Sequence, residues 1–211
     1  MEKKYLHKIQ KYEDMNAQSR KRFDIVRNFV GDTKGKIILD IGAGMNPLSA
    51  GIEAKKIIRF DGVDEYSPDI CGDINKGIPL KDSSVDIIIA GEIIEHIYNT
   101  YKFLEECSRI IKKGGFLILT TPNLCSFKNR LKVLFGKLPE YCAEPMNYEG
   151  FERHIIDFNF ETLEKIMKKY SLKIIKSKSN GIVSHSKILW PAELTPTKFG
   201  ETLIIKAEKI I

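Results

Sequence analysis

Residues 36–47, Lys-Ile-Ile-Leu-Asp-Ile-Gly-Ala-Gly-Met-Asn-Pro, constrain this chain more than any other stretch. The apolar run from Ile37 to Leu39 suits a strand buried on both faces. Gly42 and Gly44 follow, and glycine lets a backbone turn sharply or a ligand approach it closely. Asn46 is a good N-cap and Pro47 suits the first helical position, so the spacing predicts a helix starting there. The unit reads strand, glycine turn, helix, with free N–H groups expected at the helix start. A dinucleotide pyrophosphate is a poor fit, because Pro47 stands where that pattern needs a third glycine. Asp40 would also repel a pyrophosphate, whereas it could face a cationic ligand. An ordinary turn in some other α/β protein remains an open reading of this motif alone.

The rest of the chain extends the alternation. Residues 1–30 read as a helical cap, with Tyr5, Ile9 and Tyr12 on one face and Phe23, Val26 and Val30 on another. The lysines and arginines between them read as a solvated face. A second strand fits 57–63 and ends at Asp64, an acid placed to accept hydrogen bonds from ribose hydroxyls. Asp61 and Glu65 compete for that role. A short third strand fits 70–74 and a fourth fits 85–90. Phe103, Leu104, Cys107, Ile110 and Ile111 then follow helical spacing up to Gly114-Gly115, and 116–119 is a fifth strand. Asn159 can cap a helix carrying Leu163, Ile166, Met167 and Tyr170. Strands fit 172–175 and 202–206, and 179–200 reads as an irregular connection. Neither an internal repeat nor a domain boundary interrupts residues 1–211, so the expectation is one domain.

Bulk composition narrows the class. A chain of 211 residues, 43% hydrophobic and 29% charged, is globular in type. It has no apolar run near the roughly 20 residues of a membrane span, and 1–18 lacks a signal-peptide core, so a cytoplasmic location is expected. Cys71, Cys107, Cys125 and Cys142 are spread out with no Cys-x-x-Cys pair, which indicates neither a zinc knuckle nor a disulfide framework. The net charge of +6 permits an anionic partner without requiring one.

The ordered series Asp40-x-Gly42-x-Gly44, Asp64, Asp73, Val85-Asp86, Glu95-His96 and Lys112-Lys113-Gly114-Gly115 resembles the class I S-adenosylmethionine (SAM)-dependent methyltransferases. The match covers 36–122 and continues more weakly to about 178. It implies an α/β, Rossmann-like, seven-stranded sheet with a reversed last strand and helices on both faces. It also implies SAM held by Asp40, Gly42, Ala43, Gly44, Asp64, Asp73, Ile74, Gly91 and Glu92. Glu92-x-x-Glu95-His96 looks like the ubiquinone-biosynthesis O-methyltransferases and the small-RNA 2′-O-methyltransferases, where such a motif and a later histidine accompany a divalent metal. On a helix, positions i, i+3 and i+4 share a face. Glu92, Glu95, His96 and His154 are therefore the candidate ligands for Mg²⁺, Mn²⁺ or Zn²⁺. Without a metal, His96, His154 and Glu95 are the candidate catalytic groups.

The expected activity is methyl transfer from SAM to an oxygen of a small-molecule or lipid-linked acceptor. The alternatives are an RNA ribose 2′-O-methyltransferase, a non-catalytic SAM-binding protein, and an NAD(P)-dependent epimerase or reductase. Tyr98-x-x-x-Lys102 mimics a dehydrogenase pair but follows the fourth strand rather than the fifth. Nucleic acid is a less favoured partner, and a homodimer is compatible with the chain. Residues 123–160 read as an inserted lid or substrate segment. Within it, 124–138 has Leu124, Phe127, Leu131, Leu134, Phe135 and Leu138 at helical spacing among Lys128, Arg130, Lys132 and Lys137. Such a helix either packs its apolar stripe on the core or a second subunit, or lies on an anionic membrane surface. Packing is the favoured outcome of the two.

Overall fold

A computed structural model describes residues 15–140, 154–184 and 187–211. Tyr5, Ile9, Tyr12, Cys142 and part of the 123–160 insertion lie outside these described residues. Runs of β-branched and apolar residues become the strands, as their packing preference on a pleated surface requires. They are β1 (Ile37–Ile41), β2 (Lys56–Asp61), β3 (Ile70–Cys71), β4 (Val85–Gly91), β5 (Ile111–Pro122), β6 (Leu172–Ser179), β7 (Ile182–Ser184), β8 (Lys187–Trp190) and β9 (Thr202–Lys209). Seven of them form one sheet in the order β3-β2-β1-β4-β5-β9-β6. The first five pair in parallel, whereas β9 runs antiparallel to both β5 and β6. The reversed last strand expected from the sequence is therefore present.

Alternation along the central strands sends side chains to two cores. On one face Ile38, Ile87, Ile89, Ile118 and Ile204 pack with Ile25, Val26, Phe29 and Val30 of α1 (Ala17–Val30). On the other, Leu39, Ile41, Ile88 and Leu117 pack with Phe103, Leu104 and Cys107 of α2 (Thr100–Ile110) and with Leu163 and Met167 of α4 (Phe160–Lys169). Each of these helices starts at an asparagine, Asn16, Asn99 or Asn159, whose side chain accepts a first-turn N–H. Asp86, an acid early in a buried strand, accepts the Ile37 N–H at 2.8 Å and pairs with Lys112 at 3.0 Å. It thereby joins the starts of β1, β4 and β5. Among the described residues no helix is long and apolar enough to cross a membrane.

Three local expectations are corrected. No helix starts at Asn46-Pro47; residues 48–51 form turns, with the Ala50 N–H on Pro47 O and the Ile52 N–H on Ser49 O. Too few residues separate the glycine turn from β2 for a helix to form and return. Gly114-Gly115 does not stop α2, which ends at Ile110; the glycines lie inside β5. The connection at 179–200 is not irregular throughout, because β7 and β8 pair as an antiparallel hairpin.

Candidate active site

The glycine turn opens at the carboxyl end of β1. Gly44 adopts φ 53°, and a Cβ placed there would meet nothing within 4 Å, so the backbone is open to a ligand on that side. The turn is held by Asp61 at the end of β2. Its carboxylate accepts the Gly44 N–H at 2.8 Å and the Val63 N–H at 2.9 Å, while its carbonyl accepts the Gly72 N–H at 2.9 Å. One residue thus ties together the carboxyl ends of three adjacent parallel strands. Asp64 is exposed and begins a single turn of 3₁₀ helix, Asp64–Tyr66, beyond the end of β2. Asp73 is also exposed and accepts the Asn75 N–H at 2.9 Å, which holds its carboxyl below the usual carboxylate range. Ile74, half-buried, packs against the core beside it.

Asp40 lies behind the glycine turn. It is buried and its carboxylate accepts the Ser49 N–H at 2.9 Å. Burial pushes its carboxyl up to about 6 despite that hydrogen bond. The residue fixes the turn from behind. Ala43 is buried alongside it.

A second cluster forms where β4 and β5 end side by side. Gly91 closes β4 against the Leu48 side chain, which a larger residue there would have to displace. Glu92 follows at φ 51°. It accepts the Thr120 hydroxyl at 2.8 Å and pairs with Arg22 of α1 at 2.9 Å. A single 3₁₀ turn, Ile94–His96, then buries Glu95. The Thr121 hydroxyl donates to Glu95 Oε2 at 2.9 Å, whereas Oε1 is buried with no hydrogen-bond partner among the described residues. Burial, and next the charge of Glu92, push the Glu95 carboxyl up to about 8. The Glu95 carbonyl accepts the Ile155 and Ile156 N–H groups at 2.7 and 3.2 Å. That contact holds His154 beside His96, with ring centroids 5.0 Å apart and nearly perpendicular planes.

The ligand atoms of Glu95, His96 and His154 lie within 4.8 Å of one another. These three side chains line a cavity of about 250 Å³ with Glu92, Arg22, Pro122, Glu201, Thr202, Asn180 and the first turn of α1. Pro122 is the one apolar residue in that lining among the described residues, so the cavity suits a polar group.

Two departures from the sequence reading follow. Glu92 is not part of the metal-type cluster. The segment turns left-handed at Glu92 and makes only one 3₁₀ turn, so Glu92 does not share a helix face with Glu95 and His96 and points to Thr120 and Arg22 instead. Arg22, expected on a solvated face, lines the cavity. It shares a helix face with Gln18 and Ser19, which line it too, but helical spacing alone does not say which polar face meets a neighbour.

A family model described as a methyltransferase domain matches residues 39–119. A "probable S-adenosylmethionine-dependent methyltransferase" of Mycobacterium tuberculosis is 38% identical over 50 residues, 24% of this chain and 18% of that protein. The human mitochondrial ubiquinone biosynthesis O-methyltransferase is 26% identical over 160 residues, covering 66% of this chain and 42% of that protein. The chain thus spans less than half the length of both curated relatives. A Thermotoga maritima SAM-dependent methyltransferase, described as a "possible histamine N-methyltransferase", superposes with a TM-score of 0.67 at 18% identity, over 92% of this chain and 91% of that one. That likeness is one of fold. Residues 39–119 thus match the methyltransferase-domain family, and the sheet that surrounds them has the fold of a solved SAM-dependent methyltransferase.

Proposed function

We propose that this protein transfers the methyl group of SAM to an oxygen of a small-molecule or lipid-linked acceptor whose polar end enters the cavity beside Glu95. The observation that carries this reading is the convergence of Glu95, His96 and His154 in a polar cavity at the carboxyl ends of β4 and β5. Ligands of open α/β sheets bind at that end. SAM binding is assigned to Gly42, Ala43, Gly44, Asp64, Asp73, Ile74, Gly91 and Glu92. Asp64 is the acid for the ribose hydroxyls, because the Asp61 carboxylate is already engaged by two backbone N–H groups.

In the transfer the methyl carbon–sulfur bond breaks as the acceptor oxygen attacks in line. Sulfur keeps the electron pair of the broken bond and the sulfonium becomes a neutral thioether. His96 or His154 takes the hydroxyl proton. Alignment alone can supply about 7–11 kcal/mol of such a barrier, and a positioned base on the order of 10²–10⁴-fold. Isothermal titration of the folded protein should give micromolar SAM affinity, and Asp64→Ala should weaken it at least about tenfold by leaving the ribose hydroxyls without their acceptor. An unchanged affinity in the variant would remove the cofactor assignment.

A divalent metal is a second reading, favoured by the buried Glu95 Oε1 that has no hydrogen-bond partner among the described residues and by two adjacent imidazoles. This donor set fits Zn²⁺ or Mn²⁺. Glu95, His96 and His154 would hold the ion, which when bound would supply Lewis acidity toward an acceptor hydroxyl. Activity should then disappear in EDTA and return with Zn²⁺ or Mn²⁺; full activity in chelator would leave the histidines to work alone.

A further inference from the structure

The short helix α3 (Phe127–Leu134) is inside out for a water-soluble surface helix. Its one buried residue is Asn129, whose side chain donates to Asn123 O at 3.4 Å and accepts the Glu140 N–H at 2.8 Å. Most of the side chains that it and the following turn expose are apolar. Phe127, Leu131, Val133, Leu134, Phe135 and Leu138 expose between 41% and 74% of their surface. Single exposed apolar residues are ordinary, but six within one short stretch mark a binding surface. Of the two packing outcomes expected from the sequence, the core or a second subunit, the core does not take up this stripe.

The charges around the patch choose the occupant. Lys128, Arg130, Lys132 and Lys137 surround it, and no acid occurs from Asn123 to Pro139. Lys128 and Lys132 share Glu140 at the edge, at 2.7 and 3.0 Å, so cations outnumber the nearby acid. Arg130 lies over the Phe199 ring, 4.9 Å from its centroid, which extends the patch with another apolar surface. An apolar face bordered by lysine and arginine is complementary to an anionic lipid surface, where the side chains enter the acyl boundary and the cations meet headgroup charge. A second copy of this chain would bring the same cations against each other. The position is also apt, because β5 ends at Pro122 in the cavity wall and α3 begins only a few residues later.

We propose that α3 and the turn after it dock this protein on an anionic bilayer, with the carboxyl end of the sheet facing the lipid. The contact does not depend on the catalytic reading, since it requires neither SAM nor an acceptor. The test is co-sedimentation of the full chain with phosphatidylcholine vesicles that contain or lack phosphatidylglycerol. The protein should pellet with the anionic vesicles, less so as salt is raised, and stay in solution with the neutral ones. Leu134→Glu and Phe135→Glu, both at exposed positions, should each lower the partition coefficient about tenfold while leaving the circular dichroism spectrum unchanged. Lys137→Glu should lower it for anionic vesicles. Failure of the protein to sediment with anionic vesicles would overturn the proposal, as would equal binding by wild type and both apolar variants. A concentration-dependent dimer that Leu134→Glu dissolves, without vesicle binding, would assign the patch to self-association and overturn it too.

Discussion

Asp40 is pulled two ways. The Ser49 N–H stabilises its carboxylate, but complete burial destabilises any charge there, and burial dominates. A carboxyl raised to about 6 from 3.8 gives a definite sign. Below pH 3.8 the group is protonated in both folded and unfolded chains and has no effect. As pH climbs toward 6 the unfolded chain ionises first, so stability falls, by about 3 kcal/mol once both forms are ionised. Asp40→Asn keeps an acceptor for Ser49 and removes the titration. Denaturant unfolding should show that the variant lacks this part of the wild type's loss between pH 4 and 6; parallel curves for the two proteins would contradict it. The sequence placed Asp40 at the turn but did not tell its direction, because a strand-end side chain can face the cleft or the turn behind it; the Ser49 hydrogen bond comes from the turn. Asp61 and Asp64 posed the same ambiguity. Only three-dimensional closure shows that Asp61 reaches the Gly44 N–H.

At the scale of elements, α2 does more than cover the sheet. Arg109 near its end donates to Ile78 O and Leu80 O at 2.9 and 2.8 Å and pairs with Asp82 and with Glu106. Glu106 in turn accepts the Ile78 N–H at 2.9 Å, and the guanidinium holds its carboxyl down to about 2. The two residues fasten the connection between β3 and β4 to the helix. Arg109→Ala leaves two carbonyls and a buried carboxylate short of a partner and should cost about 2–3 kcal/mol, read as a lower denaturation midpoint. The carboxyl is depressed, so this pair stabilises above pH 4.5 and its contribution fades as pH drops toward 2; the variant should lose less in acid than the wild type. Elements with their own pattern, β1, β4, α2 and α4, were legible in the sequence because burial on one or both faces writes itself as periodicity. The hairpin β7–β8 was not, since Trp190 and Pro191 suggested a loop and the Ile182-Val183 and Ile188-Leu189 runs are very short. The helix expected at Asn46 failed for the converse reason: good cap residues, with no length behind them.

For the molecule as a whole, the strand order was legible through resemblance rather than through pattern, because nothing in residues 202–209 announces an antiparallel course between β5 and β6. The cavity was only half legible. Glu95, His96 and His154 could be singled out by type and spacing, whereas Arg22 enters from a distant helix that the fold happens to lay across the same end of the sheet. The position of β9 has a further consequence during synthesis. Strands β1 to β5 leave the ribosome early and can pair at once, but the outer edge of β5 gains its neighbour only when residues 202–209 have been made. Until then an unpaired edge carrying Leu117, Ile118 and Leu119 is available to any other extended chain nearby. The interval between synthesis of residue 122 and of residue 209 is therefore when this edge most needs protection from other chains.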